Sequence, residues 1–427
     1  MKRYDSYKDS GVDWIGEIPS HWVVSELRQL VYHTKEKNSD NQSTVLSLSY
    51  GDIVIRNIEF NYGLLPESFD SYQRIRPGYI VLRLTDLQND KKSLRVGYSH
   101  YDGIITSVYV GLRVQQNIES RWVYYFLHFS DLKKVFYSLG GGIRQSLRFE
   151  ELGRIPVCTP TISEQQQIVS FLDSKTSQID ELIQKKERKI ELLKEYRTSL
   201  INQVVTKGLN PNVEMKDSGV EWIGEIPTSW DTLQLKYITE ILRGKFSHRP
   251  RNDERLYDGV YPFIQTGDIV SSGKYLTKYT QTLNEWGYSV SKEFPIGTLV
   301  MTISGNIGDV SILKIKSCFP DSIIGFFPKS ITSEEYLFYL FSSLKQELIK
   351  NSTVSTQMNL NVERVGSIFV TLPPLSEQHK IVSYLDEHTE LIVKTISIEE
   401  ERIELLKVYR QSLISEVVTG KMDVRVN

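Results

Sequence analysis

Two segments of the chain carry apolar residues with a period of 3.5 residues, which is typical of helices that pack along one seam. Steps of alternately four and three residues from Leu172 to Val204 meet seven apolar residues in ten positions. The same steps from Leu385 to Val417 meet apolar residues at the same seven places and polar residues at the other three. The pattern predicts two long helices that pair with each other. Their seam includes Ile179, Ile183, Lys186, Ile190, Leu193 and Leu200 in the first helix, and Ile392, Ile396, Glu399, Ile403, Leu406 and Leu413 in the second.

Two polar seam positions bear on the register of this pair. In an antiparallel arrangement Lys186 and Glu399, near the middle of each helix, would lie close together, and their opposite charges would help to set the register. The alternative is that both side chains extend into solvent. About 42 residues at 1.5 Å per residue give each helix a length on the order of 60 Å.

The ends of both helices carry recognisable signals. Ser163 and Ser376 follow proline-containing segments and are suitable N-caps, and the glutamate after each serine favours a helix N-terminus. Gly208 and Gly420 are suitable C-terminal stops.

The segments between the helical ones are rich in β-branched residues and predict mixed α/β domains with many strands. The predicted strands are Ile80–Leu84, Ile104–Val114, Thr298–Ile303 and Val310–Ile315, with a turn at 305–308, and the predicted helices are Arg121–Phe136 and Ser333–Ile349. The two domains share a weak skeleton, since Pro77–Val81 parallels Ile296–Val300 and Ser107–Gly111 parallels Ser322–Gly325. A common fold with diverged surfaces is the simplest interpretation.

The chain is an internal duplication. Lys8–Trp22 reads KDSGVDWIGEIPSHW and Lys216–Trp230 reads KDSGVEWIGEIPTSW; we name each of these segments box A. The start of each predicted long helix, box B, also repeats, as ISEQQQIVSFLD from Ile162 and LSEQHKIVSYLD from Leu375. The helices then continue as KIELLKEYRTSLINQVVTKG and RIELLKVYRQSLISEVVTGK. The variable blocks between the boxes, 23–161 and 231–374, barely resemble each other. Such a chain holds two different binding domains in one repeated frame, as two half-sites on duplex DNA would require.

Composition limits the classes of protein. The 427 residues have a net charge of −2 and two distant cysteines, Cys158 and Cys318. The cysteines suggest neither a disulfide framework nor a zinc site, and with no secretory signal or membrane span in the pattern we expect a cytoplasmic protein. The near-neutral charge is mild evidence against nucleic-acid binding, which usually needs a basic face. No nucleotide-binding glycine motif, zinc-protease motif or amino-methyltransferase motif occurs.

The twin DSGV[DE]WIGEIP boxes, the twin SEQ helix starts and the twin ELLK-x-YR segments together resemble the specificity subunit of type I restriction–modification systems, over essentially the whole chain. The resemblance implies an α+β fold in which two tandem α/β target recognition domains are separated by two long helices, which pair as an antiparallel coiled coil with internal two-fold pseudo-symmetry. The domains would be residues 1–158 (first recognition domain), 159–210 (first long helix), 211–371 (second recognition domain) and 372–427 (second long helix).

The same resemblance implies a division of labour. Each recognition domain would bind one half of a bipartite, asymmetric sequence in double-stranded DNA, and the helices would set the gap and dock two modification (methyltransferase) subunits. Restriction subunits, with translocase and nuclease activity, would join this core. The chain would carry no catalytic centre and no metal, and S-adenosylmethionine, ATP and Mg²⁺ would bind to its partners. The alternative from the sequence is a non-enzymatic adaptor whose two domains bind polypeptide.

DNA contacts require Arg, Lys, Asn and Gln in loops, because these side chains match phosphates and base edges. The second block has a basic loop that also holds His248 and Arg255. A glycine-rich turn, 140–142, and a small-residue turn near 352–359 each lead to glutamine. The candidate DNA-binding residues are Arg74, Arg76, Lys91, Lys92, Arg144, Gln145, Arg148, Arg243, Lys245, Arg249, Arg251, Gln357 and Asn359. By contrast, the tryptophans Trp14, Trp22, Trp222 and Trp230 repeat in both copies of box A while the variable blocks differ, so we assign them to the framework.

Overall fold

The computed structural model describes residues 2–57, 68–87, 93–139, 146–353 and 361–425. The chain divides into two compact units, Met1–Glu187 with Glu401–Asn427 (unit 1) and Arg188–Glu400 (unit 2). Each unit therefore combines one variable block with one half of each long helix.

The helices of the described residues include both predicted long ones. Helices α1 to α10 are Ser120–Leu132, Val135–Leu139, Phe149–Leu152, Ile162–Lys207, Leu235–Ile238, Thr266–Ser272, Glu285–Ser289, Glu334–Thr353, Val362–Gly366 and Leu375–Val418. The long helices α4 and α10 end just before Gly208 and Gly420, both with positive φ, as the sequence predicts.

The strands form small, mostly antiparallel sheets. Strands β1 to β12, in unit 1, are Tyr7–Asp9, Glu17–Pro19, Val23–Glu26, Val31–Thr34, Leu46–Ser49, Asp52–Ile55, Gln73–Ile75, Ile80–Arg83, Val96–Tyr98, Gly103–Ile105, Tyr109–Val114 and Pro156–Thr159. Strands β13 to β25, in unit 2, are Met215–Asp217, Glu225–Pro227, Asp231–Gln234, Thr239–Arg243, Tyr257–Phe263, Tyr275–Leu276, Gln281–Leu283, Glu293–Phe294, Leu299–Thr302, Val310–Leu313, Ser317–Cys318, Ile323–Pro328 and Phe369–Leu372.

The four strands of the central sheet in unit 1 have counterparts in the same order in unit 2, whose sheet adds β18 at one edge. The order is β4-β11-β8-β9 in unit 1 and β16-β24-β21-β22-β18 in unit 2. Their registers also correspond, since Gly111 lies opposite Val81 and Gly325 lies opposite Val300. These strands are the segments that the sequence comparison paired, so the prediction of one fold with diverged surfaces is confirmed.

One strand prediction was wrong. The run Ile104–Val114 is two strands, β10 and β11, which belong to different sheets. A turn separates them, in which the Tyr109 amide donates to the Thr106 carbonyl at 3.2 Å. A continuous β-branched run does not reveal such a turn, because no glycine or proline marks it.

The long helices pair in antiparallel sense. In unit 1, Arg410 of α10 lies 2.9 Å from Asp180 of α4, and in unit 2, Lys189 of α4 donates to Glu399 of α10 at 2.9 Å. Residue numbers along α10 thus decrease as those of their partners along α4 increase. Every residue of the predicted seam is buried or half-buried, whereas most residues between them are exposed.

Glu399 is the most buried charged residue of the seam, at 2% exposure. Because it is buried, the alternative that it extends into solvent is excluded. The partner found for it within unit 2, Lys189, lies one helical turn from the Lys186 that the sequence suggested. Lys189 is itself half exposed, and its long aliphatic stem allows the ammonium group to reach a seam position from the side.

The predicted serine N-caps are wrong, because each helix begins one residue before its serine, at Ile162 and Leu375. In the first helix, Thr161 takes the capping position, and its hydroxyl accepts from the Glu164 amide at 3.4 Å. The glutamate and glutamine that follow each serine are used for tertiary contacts instead.

In each copy of box B, the glutamate and glutamine after the serine join the long helix to the rest of the unit. Glu164 accepts from the indole N–H of the fully buried Trp22 at 3.1 Å, and Glu377 accepts from that of Trp230 at 2.9 Å. Both tryptophans come from box A, so their assignment to the framework is confirmed.

The neighbouring glutamine binds the variable block. The Gln165 carbonyl accepts from the Glu119 backbone amide at 2.9 Å, just before α1, and the Gln165 amide donates to the Pro160 carbonyl at 2.9 Å. Gln378 repeats both contacts, with the Ser333 amide at 3.0 Å and the Pro373 carbonyl at 2.9 Å. We call the glutamate and glutamine with these partners the SEQ joint.

The end of each long helix reaches the box A that completes its unit. In unit 1 the Tyr7 hydroxyl donates to the Gly420 carbonyl at 3.2 Å, and Gly420 lies against Pro19 and Trp22. In unit 2, Gly208 lies against Trp230 and Glu377. Within unit 1, the last helix of the chain thus ends on the first box A.

The SEQ joint gives a stability prediction. Replacing Glu164 with alanine leaves the buried Trp22 N–H without its acceptor, which we expect to lower the free energy of unfolding by about 1–3 kcal/mol in a urea titration. The matched control is Glu181→Ala on the same helix, where the carboxylate is exposed and should change stability by no more than about 0.5 kcal/mol. Equal effects of the two substitutions would contradict a structural role for the joint.

Candidate nucleic-acid interface

Three of the four basic residues predicted in the second block converge on one acidic residue, Asp321. The Arg243 Nε donates to the Asp321 carbonyl at 2.6 Å, and the Arg251 guanidinium binds the Asp321 carboxylate. The Arg249 Nη2 lies 3.6 Å from the same carboxylate. Three guanidinium groups around one aspartate leave a net positive, solvent-exposed cluster, which we call the arginine cluster. The planar guanidinium groups of this cluster can each donate two hydrogen bonds to phosphate oxygens.

Gly244 brings the two chain segments of this cluster together. A Cβ atom at this position would collide with the Pro320 carbonyl, so only glycine permits the approach. Phe246, buried two residues further on, anchors the basic loop in the core. Lys245 is exposed, and its carbonyl accepts from the Ser291 hydroxyl at 2.9 Å.

A second polar group holds the other end of the basic loop. The Arg255 guanidinium bonds to the Asp253 carboxylate at 2.8 Å and lies 5.2 Å from the Trp286 ring. His248 also contacts that carboxylate, at 3.1 Å. The hydrogen bond from Arg255, followed by those from the Arg255 backbone and His248, lowers the pKa of Asp253 well below its usual range despite partial desolvation.

A cleft of about 390 Å³ opens beside the arginine cluster. Its lining includes the apolar side chains of Phe246, Phe263 and Pro320. One cation, Arg251, one carboxylate, Glu254, and two glutamines, Gln265 and Gln281, also line it. The Gln265 amide donates to the Gln281 side-chain carbonyl at 2.8 Å. The two glutamines lie on different elements and form no motif in the sequence, so no sequence pattern predicts them as a site.

In the first block the structure separates the predicted residues. Arg74 points inward, with 6% of its side chain exposed, and its Nη2 lies 3.1 Å from Asp40 and 3.0 Å from Asp102. A guanidinium buried between two carboxylates is held within the fold, which argues against Arg74 as a DNA contact. Arg76 is half exposed and bonds to Glu36 at 2.6 Å, and Arg148 is exposed beside α3.

The remaining candidates lie outside the described residues. They are Lys91, Lys92, Arg144, Gln145, Gln357 and Asn359. Their assignment stays a prediction from the sequence.

A larger cleft in unit 1, of about 720 Å³, has the opposite electrostatic character. Its walls include the carboxylates of Asp52, Asp173, Asp180 and Glu181, together with Arg121 and Arg410. Acidic walls repel phosphate, so this cleft does not suit a DNA backbone.

Part of that cleft belongs to a repeated framework contact. The Tyr125 hydroxyl donates to Asp173 at 2.7 Å, and burial together with this bond raises the pKa of Tyr125. In unit 2, Tyr339 donates to Asp386 at 2.5 Å in the same way. The accompanying cation differs, since Arg121 of α1 binds Asp173 whereas Lys274, from the loop before β18, binds Asp386.

Within the part of the chain that the structure describes, no group of three or more His, Cys, Asp or Glu side chains is placed to hold a metal ion. No helix among these residues is both long and apolar enough to cross a membrane.

The repeated frame and its two diverged α/β blocks match a known family. The family model described as "Type I restriction modification DNA specificity domain" matches residues 19–192 and again residues 227–407. The chain therefore belongs to the family of type I restriction–modification specificity proteins, with two copies of the family's domain.

Relatives along the chain support this assignment. The chain is 24% identical over 437 residues to a putative type I restriction enzyme MjaX specificity subunit of Methanocaldococcus jannaschii, covering 96% of both chains. It is 25% identical over 295 residues to a putative type I restriction enzyme specificity subunit of Haemophilus influenzae, covering 64% of this chain and 65% of that one.

Solved structures show the same fold. One chain from a study of complex assembly and conformational transition of the type I R-M system superposes with a TM-score of 0.73 at 15% identity, covering 95% of this chain and 99% of the other. The HsdS subunit from Thermoanaerobacter tengcongensis gives a TM-score of 0.54 at 16% identity, covering 95% and 98%. The two tandem α/β domains and the pair of long helices are thus a fold shared with these proteins.

Proposed function

We propose that this protein is the DNA-recognition subunit of a type I restriction–modification complex, and that each variable block binds one half of a bipartite, asymmetric site in double-stranded DNA. The observation that carries the proposal is the pairing of a repeated frame with diverged binding surfaces. Sheet topology, register and the SEQ joint repeat in both units, whereas the arginine cluster has no counterpart among the described residues of unit 1. Two different surfaces on equivalent scaffolds suit two unlike half-sites. In this proposal the long helices set the gap between the half-sites.

The chemistry in this proposal belongs to the partners. The chain carries no catalytic centre of its own, and S-adenosylmethionine, ATP and Mg²⁺ bind to methyltransferase and restriction subunits. Its own contribution is to select the site, through positive side chains that position the DNA backbone and polar groups that contact base edges.

The proposal predicts one gapped, asymmetric methylated sequence in the host genome. Base-modification sequencing of the host with and without this gene should show that motif only when the gene is present, because the subunit selects the site that the complex modifies. Restoring the gene on a plasmid should restore the motif. A modification pattern that is the same in both strains would contradict the proposal in a host whose methyltransferase gene is expressed.

The arginine cluster should contribute mainly electrostatic affinity. Replacing Arg243, Arg249 and Arg251 together with glutamine removes three cations, and each one that contacts a phosphate should reduce the slope of log affinity against log salt by about 1. The measurement is fluorescence anisotropy of the assembled complex on a duplex carrying its site, between about 50 and 200 mM salt. The control Lys185→Gln alters an exposed cation of α4 and should leave the slope unchanged. A triple variant with the wild-type slope would remove the cluster from the interface.

The long helices also present an apolar surface that packing does not explain. Leu192 and Tyr196 on α4 are 48% and 55% exposed, and Leu405 and Tyr409 on α10 are 60% and 49% exposed. The two pairs occupy equivalent positions of the repeated ELLK-x-YR segment, one pair in each unit. Apolar residues that stay exposed in both copies are typical of a protein-binding surface. Because the surface occurs twice, it supports the proposal that two identical methyltransferase subunits dock on the chain.

This docking proposal predicts a stepwise loss of partners. The double variant Leu192→Ser/Tyr196→Ser should bind one methyltransferase subunit instead of two, and Leu405→Ser/Tyr409→Ser should likewise lose one. All four substitutions together should abolish binding, as measured by native mass spectrometry of the complex. Lys194→Ser and Lys407→Ser, at exposed polar neighbours, are the matched controls and should retain both subunits. Two bound subunits on the fourfold variant would refute these docking surfaces.

A further inference from the structure

The cleft beside the arginine cluster contains a fixed pair of amides. Gln265 immediately precedes α6, where its backbone amide donates to Asp268 at 2.8 Å. Gln281 begins β19 and lies opposite Phe263 of β17 in the sheet. Both backbones are thus held by secondary structure, and the hydrogen bond between the two side chains restricts their rotamers. A binding group that is ordered in advance loses less entropy when it binds.

The bond between these amides determines what they offer to a ligand. Each side-chain amide has an amino group with two N–H donors and a carbonyl oxygen with two lone pairs. The mutual bond uses one N–H of one glutamine and one lone pair of the other, so one carbonyl and one amino group stay wholly free, whichever glutamine is the donor. The groups of the pair that are wholly free are therefore one hydrogen-bond acceptor and one donor.

Among the four bases, adenine complements this pattern in the major groove. Adenine presents an amino donor and the N7 acceptor, whereas guanine presents two acceptors and would face the remaining carbonyl with one of them. The partner of adenine, thymine, adds a methyl group that favours apolar contact. Phe246, Phe263 and Pro320, which are largely buried, contribute apolar atoms to the lining of the cleft.

We infer that the Gln265–Gln281 pair is a specificity-determining site that recognises one A·T base pair in the half-site bound by the second variable block. The inference rests on the proposed function, because it assigns a base to a surface that the proposal places on DNA. The adjacent arginine cluster supports the assignment, since phosphate contacts position a protein on the duplex while groove contacts specify the base.

The test uses the host strain without its own copy of the gene and compares the methylated motifs produced by variants. Gln281→Leu removes one partner of the pair, so discrimination for A·T at one position should fall by about 5- to 150-fold and that position should become degenerate. The other half-site should be unchanged. Gln281→Glu still accepts from Gln265 but replaces the free donor with an acceptor, so the same position should shift towards C·G, whose cytosine amino group needs an acceptor.

Thr282→Val is the matched control, because neighbouring residues of a strand point to opposite faces. It should leave the motif intact. Motifs of both Gln281 variants identical to the wild type would overturn the inference while leaving the proposed function standing, and so would a change at a position that is not A·T. A wild-type gene that produces no motif would instead overturn the proposed function. Should Gln281→Leu fail to assemble with the methyltransferase, Gln281→Glu, which keeps the shape of the side chain, decides the question.

Discussion

The SEQ joint is the contact on which the rest of the architecture depends. Two consecutive residues of each long helix connect in two directions, the glutamate to a buried tryptophan of box A and the glutamine to the variable block. A buried carboxylate and a buried indole N–H are both costly unless they are paired, so the two groups fix each other's position. One helical turn thereby sets where each α/β domain meets its helices.

The chemistry of the joint explains how the frame stays constant while the binding surfaces differ. Among the described residues, the partners of Gln165 and Gln378 are backbone atoms of the variable blocks, at Glu119, Pro160, Ile331, Ser333 and Pro373. Backbone atoms are present whatever the side chains are, so the blocks can change in sequence without losing the contact. The Tyr125 and Tyr339 contacts show the same tolerance, because the cation beside the aspartate comes from α1 in one unit and from a loop in the other.

The periodic features of this protein are predictable from its sequence, whereas features that depend on contacts between distant residues are not. The helix pair, its seam and the shared sheet followed from spacing and repetition, because one apolar face must be buried along its whole length. The serine caps were wrong, since local preference could not show that Thr161 precedes the helix. The sequence does not distinguish Arg74 from an exposed arginine, because Asp40 and Asp102 contact it only in the folded chain. Gln265 and Gln281 become a pair only when α6 and β19 meet in the fold.

The contact between the first box A and the end of the last helix also constrains how the chain folds. Tyr7 and Gly420 are separated by 413 positions, and Leu413, Ile414 and Val417 complete the core that contains Trp22 and Ile168. Unit 2 is one continuous segment, whereas unit 1 needs both ends of the chain. Since a ribosome delivers the N-terminus first, the apolar face of the first block stays uncovered until the last turns of α10 have been synthesised. Unit 2 can therefore fold during translation. The core of unit 1 is completed later, so the apolar residues of the first block are exposed to aggregation for a longer time.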